Sequence, residues 1–107
     1  MGMSALTRAQ FQDLFDVFIG DATVDPADMA AGAESTISVT VTGAALGDIV
    51  LAGPGVAITD GVVWSAAVTA ANTVKFVFAN PTGDHVDMAS STWTIVVLRP
   101  KAKITSN

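Results

Sequence analysis

The stretch VVWSAAVTAANTVKFVFAN, residues 62–80, decides the fold class. Val62, Trp64, Ala66 and Val68 recur at every second position, and so do Val74, Phe76 and Phe78 after a break at Ala71 and Asn72. A period of two places each set on one face of an extended chain, because successive side chains of a strand point to opposite sides. Two such runs joined by a short turn form an antiparallel pair.

Outward from this hairpin the period persists. Ile37, Val39 and Val41 alternate with Ser38, Thr40 and Thr42, which describes a strand with one dry face and one wet face. Ile49 to Ala52 is a short apolar run broken by Gly53, Pro54 and Gly55. Val56 to Thr59 reads as a further strand, ahead of an Asp60-Gly61 pair that favours a tight primed hairpin turn. Downstream, Asn80, Pro81, Thr82 and Gly83 form a turn cluster, and a loop runs through Asp87 and Met88. Trp93, Ile95 and Val97 close the set, while Val96 and Leu98 make the end of that strand apolar on both faces. Six to seven strands with no helix between them predict a mainly β fold, an antiparallel β-sandwich or small barrel.

The N-terminal part reads differently. Phe11, Leu14, Phe15, Phe18 and Ile19 recur at offsets of three and four, which predicts an amphipathic helix from Ser4 to Gly20. Thr7 and Gln10 stand as a capping box, Leu6 and Phe11 as a hydrophobic staple, and Gly20 as the stop. So short a helix is unstable alone in water, so its stripe must dock, either as a lid on its own sandwich or as an anchor on a neighbouring subunit. Asp21 to Ala33 reads as an acidic linker or a poorly formed strand around Pro26. The resulting division is a helix and linker arm over residues 1–33, a β-sandwich domain over 34–99 and a basic tail over 100–107.

Half of the 107 residues are apolar and 14% are charged, with five Lys and Arg against ten Asp and Glu. A third of the apolar set is alanine, but the remainder still exceeds what one small core hides, and the surplus points to an assembly. Acidic balance and the lack of a basic cluster interleaved with aromatics argue against nucleic acid. No basic leader precedes an apolar run, and no apolar stretch reaches the length of about 18 residues that a membrane span requires. With no cysteine there is no thiolate chemistry and no disulfide, which fits folding in a reducing cytoplasm.

Candidate chemistry is sparse. One histidine, one glutamate and no tyrosine leave little for general acid-base catalysis, so no enzyme, cofactor or metal is expected. His85 between Asp84 and Asp87 is a loose metal-like cluster, better read as a solvated loop. Asp21, Asp25 and Asp28 lack the spacing and closing glutamate of a calcium loop. Gly43, Gly47, Gly53, Gly55 and Gly61 fall between strands and read as turn residues, because a phosphate-cradling loop opens a helix. Trp64 and Trp93 share faces with Val and Ile, which favours core packing over a sugar platform. The candidate partner interface is the helical stripe with its staple, Leu6, Phe11, Leu14, Phe15, Phe18 and Ile19. The basic residues Arg99, Lys101 and Lys103 join it as an arm that clasps the acidic end of the next copy; a solvated tail is the plainer reading.

Residues 31–98 resemble a recurrent β-domain of tailed-bacteriophage virion proteins. The resemblance lies in AGAESTISVTVTGAALGDIVLA and WSAAVTAANTVKFVFANPTGDHVDMASSTWTIVV. In that domain a G-A-x-L-G-D-x-V turn, here on Gly43, Leu46, Gly47, Asp48 and Val50, precedes a V-T-A-x-N-T-V hairpin, here on Val68, Asn72 and Val74. An N-x-T-G turn follows, on Asn80, Thr82 and Gly83, and then a final Thr and Val strand. The resemblance implies a capsid decoration or cement protein, made in the host cytoplasm and carried on the virion surface. Such a protein self-associates, a homotrimer being the favoured state, and binds the major capsid protein over capsomer junctions to stabilise the shell. A head-fibre or tail and baseplate component is the first alternative, and a free carbohydrate-binding or adhesion module the second.

Overall fold

The computed structural model describes residues 8–101. The fold is mainly β, with one short helix, α1 (Arg8–Leu14), and six strands. The strands are β1 (Phe15–Val24), β2 (Glu34–Thr40), β3 (Ile49–Gly53), β4 (Val63–Ala70), β5 (Thr73–Ala79) and β6 (Ser91–Pro100). They form two three-stranded antiparallel sheets, ordered β1-β6-β3 and β2-β5-β4, and make the small β-sandwich that the alternation predicts.

The core lies between the sheets and is built from the predicted alternating sets. β5 contributes Val74, Phe76 and Phe78, and β6 contributes Trp93, Ile95 and Val97, all buried. Trp93 meets Trp64, Phe76 and Phe78 edge to face, with ring centroids 4.8, 5.2 and 5.7 Å apart. These are favoured geometries for aromatic quadrupoles. Both tryptophans therefore serve the core, Trp64 half-buried at its margin.

Three connections carry specific chemistry. The β4-β5 turn needs a left-handed residue, and Asn72 supplies it at φ 59° beside an irregularity in register between Val68 and Ala70. Asn72 also ties this turn to the segment after β2. Its N–H donates to the Ala44 carbonyl (2.8 Å), its carbonyl accepts from the Val41 N–H (2.9 Å) and its Oδ1 accepts from the Gly43 N–H (2.8 Å). Asn80 is buried and fully occupied. Its Nδ2 donates to the carbonyls of Met29, Ala30 and Asp84, and its Oδ1 accepts from the N–H and hydroxyl of Thr82. A buried amide satisfied on both sides stabilises, whereas the same amide unpaired would cost about 1–3 kcal/mol. Ser35, also buried, accepts from the Ala27 N–H at 2.9 Å.

Three local expectations need correction. The helix predicted to Gly20 ends at Leu14, and Phe15–Val24 is a strand pairing with β6 over ten residues without interruption. Phe15, Val17 and Ile19 also alternate, as do Phe18, Gly20, Ala22 and Val24, so the segment carries a period of two beneath its period near 3.6. Aromatic and β-branched side chains fit a half-buried pleat, and pairing along the whole of β6 settles the competition. Gly20 is accordingly a mid-strand residue opposite Ile95 and not a helix stop, and residues 15–24 are a strand of the sandwich and not part of an arm.

Val56 to Thr59 is not a strand. Pro54 lacks an N–H, and Gly55 presses against the Thr92 carbonyl, where any Cβ would collide. The Asp60-Gly61 turn closes through the Val62 N–H to the Thr59 carbonyl at 3.1 Å, with positive φ at Gly61 and none at Asp60. It is therefore not a primed turn, because both primed types need positive φ at the first central position, here Asp60.

Candidate functional site

Register assigns every side chain of the β1-β6-β3 sheet to a face, because directly paired residues of antiparallel strands point to the same side. Phe18, Val97 and Val50 form one inward row, and Gly20, Ile95 and Ala52 the next. The intervening rows point outward: Phe15 with Pro100, then Val17, Leu98 and Ile49, then Ile19, Val96 and Leu51. All eight side chains are apolar. The row beyond them, Asp21, Thr94 and Gly53, is polar.

This outer face is apolar where a solvated sheet would be polar. Ile19 is 71% exposed, Leu51 54% and Ile49 45%. The Phe11 and Phe15 rings lie 5.1 Å apart, so α1 sits against the Phe15 end of the face. Leu98 is buried yet lies outside the core cluster between the sheets. Single exposed apolar residues are ordinary on a protein surface, but contiguous ones mark a contact.

The predicted interface residues divide between three places. Phe15 and Ile19 belong to the outer face and Phe11 packs on Phe15 at its margin, Leu14 is exposed at the end of α1, and Phe18 points inward against the core. The helical stripe is thus split by the change to a strand. Leu6 and Lys103 lie outside the described residues, as do Ser4 and Thr7 of the proposed helix start. Val17, Val96, Leu98, Ile49 and Leu51 join the face only through register, although the apolar character of Val96 and Leu98 on both sides of β6 was visible in the sequence.

Arg99 is not a free arm. Its Nε and Nη2 donate to the two carboxylate oxygens of Asp48 at 2.9 and 2.8 Å, and Nη2 also donates to the Gly43 carbonyl at 2.8 Å. The guanidinium lies over the Phe18 ring, 5.0 Å from its centroid. Asp48 accepts the Ala45 N–H as well, at 2.9 Å. The Arg99 hydrogen bond chiefly, with the Ala45 N–H and the guanidinium charge adding, holds the Asp48 carboxyl below its ordinary value, against an opposing effect of burial. Gly43 stands at φ 98° against the Phe18 ring, so no side chain fits there. Lys101 is the remaining described residue of the basic set. Its Nζ lies 3.9 Å from Asp16, and its N–H donates to the Leu14 carbonyl at 2.9 Å.

His85 Nε2 lies 2.8 Å from an Asp28 carboxylate oxygen, with both side chains more than half exposed. Among the described residues no three His, Cys, Asp or Glu side chains come together as a metal-binding group. No described helix is long and apolar enough to cross a membrane. No family model, curated protein or solved structure matches this chain.

Proposed function

We propose that this chain is a virion structural subunit, a capsid decoration protein that joins a phage shell and stabilises it mechanically. The observation that carries the proposal is the charge-free outer face of the β1-β6-β3 sheet, on which Ile19, Leu51 and Ile49 stand exposed. A subunit with no neighbours gains nothing from such a surface; a subunit of an assembly buries it. The turn and hairpin motifs from Gly43 to Gly83 supply the phage connection by resemblance.

Magnitudes favour many weak contacts over one strong one. Three strands and three side-chain rows cover roughly 20 by 14 Å, or about 300 Å² per contact side. At about 25 cal/mol per Å² over both sides, burial contributes ~15 kcal/mol before association costs of about 4–15 kcal/mol are set against it. One contact is therefore weak, and repetition over a symmetric shell supplies the avidity. Capsomers bridged in this way separate only if the added contacts break.

Trp93 is buried and Trp64 abuts it edge to face, which leaves the carbohydrate-binding alternative without an aromatic platform in this pair. The deciding measurement is copy number on phage particles purified from the lysate that yields this chain. A decoration protein is present at a fixed stoichiometry to the major capsid protein. A few copies per particle point to a fibre or tail component, and absence from particles removes the proposal.

A further inference from the structure

We infer that Asp60-Gly61 is a site of spontaneous covalent modification, where the chain rearranges to isoaspartate through a cyclic imide and the fold gives no protection. The inference concerns the connection between β3 and β4 and is independent of the proposed function. The step needs no enzyme and no reagent beyond water. The Gly61 nitrogen bonds to Cγ of the protonated Asp60 carboxyl and gives up its proton, and a carboxyl oxygen departs with both hydrogens as water. Water then reopens the succinimide ring at either carbonyl. Attack at the former main-chain carbonyl leaves the backbone running through Cβ and Cγ, which is isoaspartate, and attack at the other restores aspartate. Nothing is oxidised or reduced, and the isomer keeps the mass of the parent.

Three observations place the step here. The attacking nitrogen belongs to a glycine, so no side chain crowds its approach; every other aspartate is followed by a residue with a side chain. The two internal asparagines are guarded in the same way, Asn72 by the β-branched Thr73 and Asn80 by Pro81, whose nitrogen has no proton to lose. Second, Asp60 and Gly61 are both exposed, and among the described residues no hydrogen bond or ion pair holds the Asp60 carboxyl or the Gly61 N–H. Asp48 is the contrast: Arg99 and the Ala45 N–H grip its carboxylate, and Ile49 follows it. Third, ring closure turns Asp60 about its Cα–C bond, and a single hydrogen bond spans the turn, from the Val62 N–H to the Thr59 carbonyl at 3.1 Å. An exposed turn tied so lightly opens at little cost. Once it is open, the reacting atoms sit on adjacent residues, and proximity does the rest.

The product does not fit the turn it comes from. The added backbone methylene falls just before Gly61, which stands at φ 88° so close to Thr82 that even a Cβ would collide with its methyl group. Thr82 cannot retreat freely, because its N–H and hydroxyl both donate to Asn80 Oδ1. Val62, the next residue, is buried. Isoaspartate therefore loosens the entry to β4.

The test keeps the full chain in warm buffer at about pH 5, where a carboxyl is still protonated part of the time, and samples it over weeks. Chromatography separates the peptides that contain residue 60, and fragmentation across Cα–Cβ identifies the isomer. Isoaspartate should appear at position 60 ahead of every other aspartate, and at a rate within about tenfold of that in the same chain unfolded by urea. Asp60→Glu, which would have to close a larger ring, should stop it. Asp60→Asn passes through the same succinimide with ammonia leaving, and at neutral pH should give the same two products faster than wild type does there. The isolated isomer should melt below its parent. A folded chain that reacts more than about tenfold slower than the unfolded one shows that the turn protects the site, and overturns the inference. So does isoaspartate that forms equally at other aspartates, or that persists in Asp60→Glu. An isomer that melts with its parent overturns the loosening of β4.

Discussion

The two sheets are alike inside and unlike outside. Inward, each presents alternating apolar side chains to the shared core around Trp93, Phe76 and Phe78. Outward, β2-β5-β4 carries Thr36 with Val77 and Ser65, Ser38 with Lys75 and Ala67, and Thr40 with Thr73 and Ala70. With the Glu34, Ala79 and Val63 row these make a mixed face of hydroxyls, charges and mostly small side chains, whereas three adjacent outer rows of β1-β6-β3, from Phe15 to Ile19, are apolar without a break. The fold requires only the inward alternation. Since a polar outer face serves one sheet, the apolar face of the other answers to something besides folding.

If inner faces determine the fold and the two outer faces differ only in assembly, the largest effect must come from the shared core. Trp93→Ala removes the ring that Trp64, Phe76 and Phe78 all contact. It should cost about 3–5 kcal/mol, a large part of the stability of a domain this size. Urea denaturation measures the loss; a cost near zero would show that the sheets do not depend on this core.

The same contrast explains what could be read in the sequence. Residues 62–80 and 93–97 were legible because their apolar side chains face one way and alternate cleanly. Phe15 to Val24 was not, because apolar side chains on both faces of a strand also satisfy helical offsets. Only pairing with β6, whose partners lie 67 (Val24 to Ser91) to 85 (Phe15 to Pro100) positions away, distinguishes the two. The predicted strand count was met through two errors, with β1 unforeseen and Val56 to Thr59 wrongly included. The outer face was half visible: Val96 and Leu98 announced it, but placing Ile49 and Leu51 beside them requires the register. Arg99 was misread as a free cation because Asp48, its partner, lies 51 positions away.

A matched pair of substitutions on the two outer faces sharpens the comparison with a smaller effect. Leu51→Thr and Val77→Thr make similar apolar-to-hydroxyl changes on strands β3 and β5. Both lie on outer faces, so each should change stability by less than about 1 kcal/mol. Leu51→Thr should weaken binding to phage shells several-fold, and Val77→Thr should leave it unchanged. Equal weakening by both would mean that the apolar sheet has no special part in assembly.

The smallest effect concerns charge, and it too belongs to one sheet. Arg99, near the end of β6, grips Asp48 and the Gly43 carbonyl in the segment between β2 and β3, and so ties the β1-β6-β3 sheet to the turn held by Asn72. Asp48 is depressed below its ordinary 3.8, mainly by the Arg99 hydrogen bond. The unfolded chain therefore binds the proton more readily, and stability rises with pH across the interval between the folded and the unfolded pKa. The contribution is fully present above about pH 3.8 and is lost as pH falls through the lower, folded value. Melting temperatures of wild type and Asp48→Asn, followed downward from neutral pH, should differ most at about pH 5–7 and converge in strong acid. A constant difference at every pH would mean that Asp48→Asn acts through lost shape and not lost charge, and would leave the guanidinium over Phe18 as the main tie at that end of the sheet.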